Sequence, residues 1–258
     1  MDEAYHNALA SVLEGPEVES RIGPTKEIFQ HTVSVDMRRP VLLNKSRKIS
    51  KKFMAAEAYW ILSGDNTVAG ICPWNKNMLE YSDDGIYFGG AYGPPVVDQL
   101  PYVIRTLEKD GGSRQAGLTI WRPKPGHSKD VACTISTFFM IRWNRLYQFV
   151  TMRSSDVWLG LPYDIFTFSM LGHLVCGYLN MRRSPQLPLI EPGLIFNTAA
   201  SRHLYESQWD KGVQARVCPI EQQHPTSEAM FISPTFLMEK LVELRDDLKG
   251  NWWRRAQT

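Results

Sequence analysis

The longest apolar segment of the chain, residues 165–179, follows two strand-like segments, and this succession constrains the fold most strongly. Residues 133–142 and 146–151 are rich in Ile, Thr, Phe, Tyr and Val, as is typical of strands. The short polar stretch from Trp143 to Arg145 separates them and predicts the turn of an antiparallel hairpin. The apolar segment is long enough for a buried helix. Together these features predict a mixed α/β (α+β) fold.

The predicted hairpin brings distant residues together. It places Cys133 opposite about position 155, so Arg153 and Ser154 become direct or diagonal neighbours of the thiol, at about 5–8 Å between side-chain bases. A neighbouring guanidinium lowers the pKa of a thiol, and the thiolate is the nucleophilic form. Two alternatives remain open on spacing alone: a small buried cysteine, and an ion pair between Arg153 and Asp156.

The loop after the hairpin and the start of the buried helix carry a further carboxylate. Pro162 ends the loop, and Asp164 stands where a helix cap is expected, directly before the apolar segment. A helix cap is therefore one interpretation of this residue.

Composition excludes several classes of protein. The 258 residues allow one large domain over 1–258, with no internal repeat or linker. The sequence has 29 Lys+Arg and 27 Asp+Glu, so its formal net charge is +2. This charge is too small to indicate nucleic acid as the main partner. The four cysteines show neither a C-x-x-C pair nor a histidine at zinc spacing, which predicts no metal site and no disulfide framework. No signal peptide or membrane segment is predicted, and a cytoplasmic location is expected.

A carboxylate lies within a second predicted helix. Glu57 is surrounded in sequence by Ala56, Tyr59, Trp60 and Ile61, and Gly64 would end this helix. A carboxylate on an apolar face is costly unless it is paired or functional. Glu57 is therefore a candidate catalytic residue.

Three other parts of the sequence carry weaker indications of a binding site. Arg21 lies in a glycine-containing loop, where a guanidinium can bind phosphate, although solvated loop arginines are commoner. His203 and Tyr205 are two residues apart and share a face if the segment is extended; a hydrogen-bonded structural histidine is the alternative. The basic run at 43–53 lacks interleaved aromatic residues, so a solvated helix start is favoured over a nucleic-acid patch.

One segment is specific enough to indicate a family. Residues 153–164 read RSSDVWLGLPYD, with Cys133 lying 20 residues before Arg153. This segment resembles the nucleotide-binding signature of the thymidylate synthase family. The E-x-x-W context of Glu57 and the Tyr92-Gly93 pair are similar to motifs of the same family. The resemblance covers about residues 21–205.

The resemblance implies a single thymidylate synthase-like domain with a large twisted sheet at a two-fold dimer interface. It implies that 5,10-methylenetetrahydrofolate is the one-carbon donor and a pyrimidine nucleoside monophosphate the acceptor. The implied catalytic residues are Cys133, Glu57, Tyr92 and Asp164. The implied substrate-binding residues are Arg21, Arg114 from the other subunit, Arg153, Ser154, Asp164, His203 and Tyr205. The implied folate-binding residues are Asp156, Gly160 and Tyr163. Gln115 stands where the family has a second arginine of Ser-Arg-Arg, which weakens the dimer inference.

Two departures from the common family pattern bear on the substrate. CTIS at 133–136 replaces the usual Cys-His pair, and Asp164 replaces the usual asparagine. Both are similar to phage deoxycytidylate hydroxymethylases, which implies conversion of dCMP to 5-hydroxymethyl-dCMP, in the host cytoplasm if the chain is phage-encoded. A C5-methyltransferase acting on dCMP or dUMP is the alternative. A catalytically inactive nucleotide-binding or RNA-binding relative is a third.

Overall fold

The computed structural model of the protein describes residues 1–123 and 126–246. It contains a six-stranded sheet in the order β1-β2-β6-β5-β4-β3 with helices packed against it, which confirms the mixed α/β class. The strands are β1 (Glu17–Ser20), β2 (Gly23–Asp36), β3 (Gly117–Thr119), β4 (Thr134–Arg142), β5 (Arg145–Asp156) and β6 (Glu191–Tyr205). The α-helices are α1 (Asp2–Leu13), α2 (Lys51–Leu62), α3 (Val68–Ile71), α4 (Gly93–Lys109), α5 (Leu161–Arg182), α6 (Trp209–Arg216), α7 (Ala229–Ile232) and α8 (Pro234–Arg245).

The sheet is antiparallel except between β5 and β6, which are parallel and are connected through α5. A parallel pair needs such a crossover, because its strands run in the same direction. The carboxyl ends of β5 and β6 therefore lie at the same edge, where Asp156 pairs in register with His203. Two segments separated along the chain meet in this way.

The central hairpin forms as predicted, with a tighter turn. Trp143 and Asn144 alone make the turn, with φ values of 51° and 55°, and Arg145 already belongs to β5. Two-residue turns with both central φ angles positive match the twist of the paired strands.

The register at the start of the hairpin differs from the prediction. The backbone N–H of Arg153 donates to the carbonyl of Cys133 at 2.8 Å, so Cys133 lies opposite Arg153 and not opposite position 155. The shorter turn and an irregularity between Thr134 and Ser136 account for the shift. Arg153 and Ser154 remain neighbours of the thiol, as expected.

Helix α5 begins earlier than the sequence suggests. It starts at Leu161, and Pro162 occupies its first turn, where a missing N–H is tolerated. Asp164 is thus the fourth residue of the helix, and its N–H donates to the carbonyl of Gly160 at 3.0 Å. The interpretation of Asp164 as the helix cap is wrong.

The glycines and prolines of segment 65–101 predict a loop-rich stretch, but the segment is partly helical. It holds α3, a short 3-10 helix and the start of α4. Pro94 and Pro95 fall in the first turn of α4, a position that suits the fixed φ of proline. The prolines that suggested a loop therefore mark a helix start.

The basic run before α2 is not simply solvated. Ser50 caps α2, but Arg47 is only 8% exposed. Its Nε donates to the carbonyl of Trp158 at 2.8 Å, and its guanidinium lies 5.0 Å from the centre of that indole ring. The solvated interpretation is wrong for Arg47, because stacking and a hydrogen bond compensate its burial.

Other helix ends also follow signals in the sequence. Gly15-Pro16 predicts the end of α1, and Ser233 before Pro234 predicts the cap of a last helix; α1 ends before Gly15, and the Ser233 side chain caps α8. Gly64 follows α2 with a φ of 79°, as predicted. The apolar pattern predicts that the last helix includes Leu248 and stops at Gly250, and both lie outside the described residues. Among the described residues, no helix has the length and apolarity needed to cross a membrane.

Candidate active site

A cavity of about 430 Å³ opens beside the amino-terminal ends of α4 and α5. Three of the four predicted catalytic side chains reach it from separate elements: Glu57 from α2, Cys133 from the start of the hairpin and Asp164 from α5. Tyr92, directly before α4, is the fourth. The fold thus gathers into one space residues that lie far apart in the sequence.

The backbone around the nucleophile candidate is held on both sides. Arg153 donates from Nε to the carbonyl of Ala132 at 3.0 Å and from Nη2 to that of Val131 at 2.9 Å. The hydroxyl oxygen of Tyr92 accepts from the amides of Cys133 and its neighbour, both at 3.2 Å. These contacts fix the position of the thiol, and they leave the hydroxyl proton of Tyr92 free to donate.

The charge of the thiol is set by two opposing effects. Burial raises the pKa of Cys133 and is the largest effect, while the Arg153 guanidinium lowers it. The Ser154 hydroxyl also donates to the sulfur at 3.7 Å. The guanidinium lowers the pKa of the thiol, as the sequence led us to expect, but burial outweighs this effect because desolvation penalises the charged thiolate.

Two carboxyl groups in the cavity favour their neutral forms. Burial raises the pKa of Glu57 to about 8, and the nearby Asp164 carboxyl adds to the rise. Burial raises the pKa of Asp164 to about 7, against the effect of the Arg202 guanidinium. Groups with pKa values near neutrality suit proton transfer. The pair can therefore both donate and accept protons at physiological pH.

The positive charge that acts on Asp164 belongs to Arg202, a residue that was not predicted from the sequence. Arg202 is fully buried in β6 and donates to the Ser155 hydroxyl at 3.0 Å and to the Asn197 side chain at 2.8 Å. Within residues 1–123 and 126–246 Arg202 forms no salt bridge, which is unusual for a buried guanidinium. No sequence signal marked Arg202, since it alternates with small and apolar residues on an ordinary strand.

The remaining predicted nucleotide-binding residues differ in whether they line the cavity. Arg21, at the exposed tip of the β1–β2 hairpin, lines it together with Arg153. His203 and Tyr205 lie on one face of β6 with their rings 5.2 Å apart. Arg114 is exposed before β3 and does not line the cavity of its own chain.

Comparison with known proteins adds a second line of support. The family model described as thymidylate synthase matches residues 3–231. The chain belongs to the thymidylate synthase family. It is 27% identical over 227 residues to the deoxyuridylate hydroxymethyltransferase of Bacillus phage SP01, covering 79% of this chain and 56% of that protein. It is 30% identical over 211 residues to the deoxyuridylate hydroxymethyltransferase of Pseudomonas phage M6, covering 77% and 57%.

The chain spans just over half the length of these two relatives, so their full activities are not transferred to it by similarity alone. Thymidylate synthase family enzymes use methylenetetrahydrofolate as a cosubstrate. Whether this chain can bind that folate depends on the residues beside its own cavity.

A folate ring fits the residues beside the cavity. Asp156 accepts the amides of Trp158 and Leu159 through Oδ1, at 2.7 and 2.8 Å, while its buried Oδ2 has no partner among the described residues. Gly160 lines the cavity next to it, and Tyr163 packs on Phe53 with ring centres 5.1 Å apart. An unsatisfied buried acceptor suits a flat ligand with N–H donors.

Two further charged residues line the cavity without having been predicted. They are Lys129 and Asp130, from the segment that precedes Cys133. The Asp130 carboxylate accepts the amide of Gly90 at 2.8 Å, and burial raises its pKa. Their sequence context is a polar loop, so only the fold shows that they face the site.

Proposed function

We propose that this protein transfers a one-carbon unit from 5,10-methylenetetrahydrofolate to C5 of a pyrimidine deoxynucleotide. One observation carries the proposal: the thiol of Cys133 is fixed at the wall of a cavity that also holds two carboxyl groups with pKa values near neutrality. Family membership supports the reaction class. We also propose that the reaction takes place in the cytoplasm.

The chemistry follows from the properties of the pyrimidine ring. Its C5 is a poor nucleophile, but addition of the Cys133 thiolate to C6 moves an electron pair to C5, which can then bond to a one-carbon unit. The folate supplies that unit. In this proposal Glu57 and Tyr92, which both line the cavity, move protons at the ring and at bound water.

The overall reaction converts the nucleotide, methylenetetrahydrofolate and water into the hydroxymethyl nucleotide and tetrahydrofolate. The C5 proton leaves, water adds to the exocyclic carbon, and the bond between sulfur and C6 breaks to regenerate Cys133. Since burial raises the pKa of this thiol, its proton must be removed before or during attack, and the neighbouring Arg153 stabilises the thiolate that results.

The proposed substrate is dCMP, on the basis of Asp164. Cytosine presents a 4-amino donor and an N3 acceptor. A neutral carboxyl group accepts from the amino group and donates to N3, whereas uracil O4 would face an acceptor. The pKa of about 7 for Asp164 makes the neutral form available at physiological pH.

The second candidate substrate is dUMP, because the two phage relatives are named deoxyuridylate hydroxymethyltransferases. Their names also support a hydroxymethyl product. The alternative product is methyl, which would require the folate to give up a hydride.

The proposed phosphate site uses Arg21, Arg153 and Ser154, with Arg114 reaching in from a second copy of the chain. Arg21 and Arg153 support it by lining one cavity, and His203 with Tyr205 would hydrogen-bond the sugar hydroxyl. The proposed active unit is therefore a homodimer.

The test is to incubate the protein with methylenetetrahydrofolate and dCMP, dUMP or CMP, and to identify products by mass. The proposal expects hydroxymethyl-dCMP. A hydroxymethyl product from dUMP alone would select the second candidate, and a methyl product would select the methyltransferase.

A matched variant tests the nucleophile. Cys133→Ser should fold and bind nucleotide but lose both turnover and exchange of the C5 hydrogen, whereas Cys218→Ser, outside the cavity, should keep both. Hydrogen exchange that persists in Cys133→Ser would contradict covalent catalysis.

A further inference from the structure

The basic residues of the cavity are not equally available to a ligand. Three basic side chains line it: Arg21, Lys129 and Arg153. Only Arg21 and Arg153 belong to the proposed phosphate site above, so Lys129 has no assigned role. Opposite these cations the cavity also carries the carboxyl groups of Glu57, Asp130 and Asp164.

Arg153 is largely occupied within its own chain. Its Nε and Nη2 donate to the carbonyls of Ala132 and Val131, and its Nη1 donates to the Ser154 hydroxyl at 3.1 Å. An arginine binds phosphate best through a fork of two parallel N–H groups. Because these carbonyls take the donors of such a fork, Arg153 can offer a phosphate its charge but few hydrogen bonds.

Lys129 has the opposite arrangement: its backbone is fixed, and its ammonium group interacts with the Asp83 carboxylate through charge. Its amide donates to Asp83 Oδ1 at 3.1 Å, and the Ser128 hydroxyl donates to Asp83 Oδ2. Each Asp83 oxygen thus accepts one hydrogen bond from this loop. Within the described part of the chain, the Lys129 ammonium makes no hydrogen bond or salt bridge.

The loop that carries Lys129 is also held from the cavity side. The Gly90 amide donates to Asp130, and a Cβ at Gly90 would lie 2.3 Å from the Asp130 carbonyl oxygen. The two loops therefore touch through their backbones, and only glycine permits this approach. Because the loop is already held, binding of a ligand by Lys129 does not require the loop backbone to become ordered.

We propose that the ammonium group of Lys129 binds the 5′-phosphate of the nucleotide substrate, alongside Arg21. This inference rests on the proposed function. A compact ammonium with three donors contacts phosphate as a point charge. It can donate hydrogen bonds to the phosphate, whereas most donors of Arg153 already bond to groups of its own chain. Asp83 is then a positioning residue, since it holds the loop from which Lys129 extends.

The experiment compares binding of nucleotide and nucleoside. The dissociation constants of dCMP and deoxycytidine, or of dUMP and deoxyuridine if dUMP is the substrate, are measured without folate for the wild type and three variants. Lys129→Ala should weaken nucleotide binding about five- to tenfold and leave nucleoside binding unchanged. Lys129→Arg should restore most of the loss. Lys109→Ala, which removes an exposed charge outside the cavity, should change neither by more than about twofold.

The outcomes separate this inference from the proposed function. If the wild type binds nucleotide more tightly than nucleoside and Lys129→Ala keeps that preference, the Lys129 site is wrong and the function stands. Equal weakening of nucleotide and nucleoside by Lys129→Ala would show a structural role and also overturn it. If neither dissociation constant changes in Lys129→Ala and turnover measurements show a raised KM for the folate, the lysine binds the carboxylates of that ligand and the inference is overturned. A wild type that binds no pyrimidine nucleotide overturns both proposals.

Discussion

At the scale of single residues, the proposed choice of dCMP as substrate depends most on Asp164. It lies within the first turn of α5 and lines the cavity, so its carboxyl group is available to a bound base. An asparagine there would donate and accept in the pattern that uracil requires.

We predict that Asp164→Asn moves the ratio of kcat/KM for dCMP and dUMP toward dUMP by at least about tenfold, since a mismatched buried polar pair costs about 1–3 kcal/mol. In the wild type, kcat/KM for dCMP should fall as pH rises through about 7, because the carboxyl group loses the proton it donates to N3. Steady-state kinetics across pH on both substrates measures both effects. An unchanged ratio in a variant of unchanged stability would remove Asp164 from base recognition.

A second residue-scale prediction concerns Glu57. Burial holds its folded-state pKa at about 8, far above the usual value of 4.5 in an unfolded chain. Its neutral form therefore favours folding fully below pH 4.5, and this contribution is lost as pH rises toward 8.

Glu57→Gln should abolish that loss, and at pH 9 it should exceed the wild type in free energy of unfolding by roughly 2–4 kcal/mol, with little difference at pH 4. Urea denaturation at the two pH values measures this. Glu239→Gln, at an exposed position on α8, is the control and should show no such divergence. A Glu57→Gln variant that is less stable than the wild type at pH 9 would mean that the carboxylate is paired.

At the scale of elements, the β4–β5 hairpin sets the position of Cys133, the proposed nucleophile, and the turn of this hairpin is not optimal. Trp143 is 85% exposed and has a φ of 51°, a conformation that costs a bulky residue about 1 kcal/mol. The fold tolerates the residue because its side chain points to solvent.

We predict that Trp143→Asn raises the free energy of unfolding by about 0.5–1 kcal/mol, because asparagine adopts positive φ readily. The urea midpoint should rise while the slope of the transition stays constant. Asn144→Ala, which places a residue with a Cβ and no side-chain amide at a φ of 55°, should lower stability by a similar amount. A stability loss in Trp143→Asn would show that the indole is packed against another surface.

At the scale of the whole molecule, the outer face of the sheet carries an aromatic stripe. Phe138, Phe149 and Phe196 occupy neighbouring positions across β4, β5 and β6, and the last two rings stack 5.2 Å apart. Phe138 is 42% exposed. An exposed apolar stripe on a broad sheet suits an interface with a second copy, which supports the proposed dimer.

A shared active site makes a specific prediction. Arg114→Ala and Cys133→Ser should each be inactive or severely impaired as homodimers, since each site would lack one residue. Mixed dimers should contain one intact site, so an equal mixture should recover about a quarter of wild-type activity. Activity after subunit exchange, with heterodimers counted by native mass spectrometry, provides the measurement. Heterodimers that form and stay inactive would contradict a contribution of Arg114 across the interface.

The sequence by itself determined the local features. The hairpin, the buried helix α5, the end of α2 at Gly64 and the Ser233 cap follow from short-range patterns, and the structure has all four. The neighbourhood of Cys133 and Arg153 was also predictable, because a hairpin converts a short sequence separation into a contact. The motif at 153–164 indicated the family, which the family match shows.

Only the tertiary structure decided which residues face one another. The parallel pairing of β5 and β6, the burial of Arg47 and Arg202, and the presence of Lys129 at the cavity depend on contacts between distant segments. The charge states of Cys133 and Asp164 also depend on them, because desolvation is a property of the surroundings and not of the residue. Sequence patterns record hydrogen bonds and periodicity within a segment, whereas burial and electrostatics arise when segments pack together.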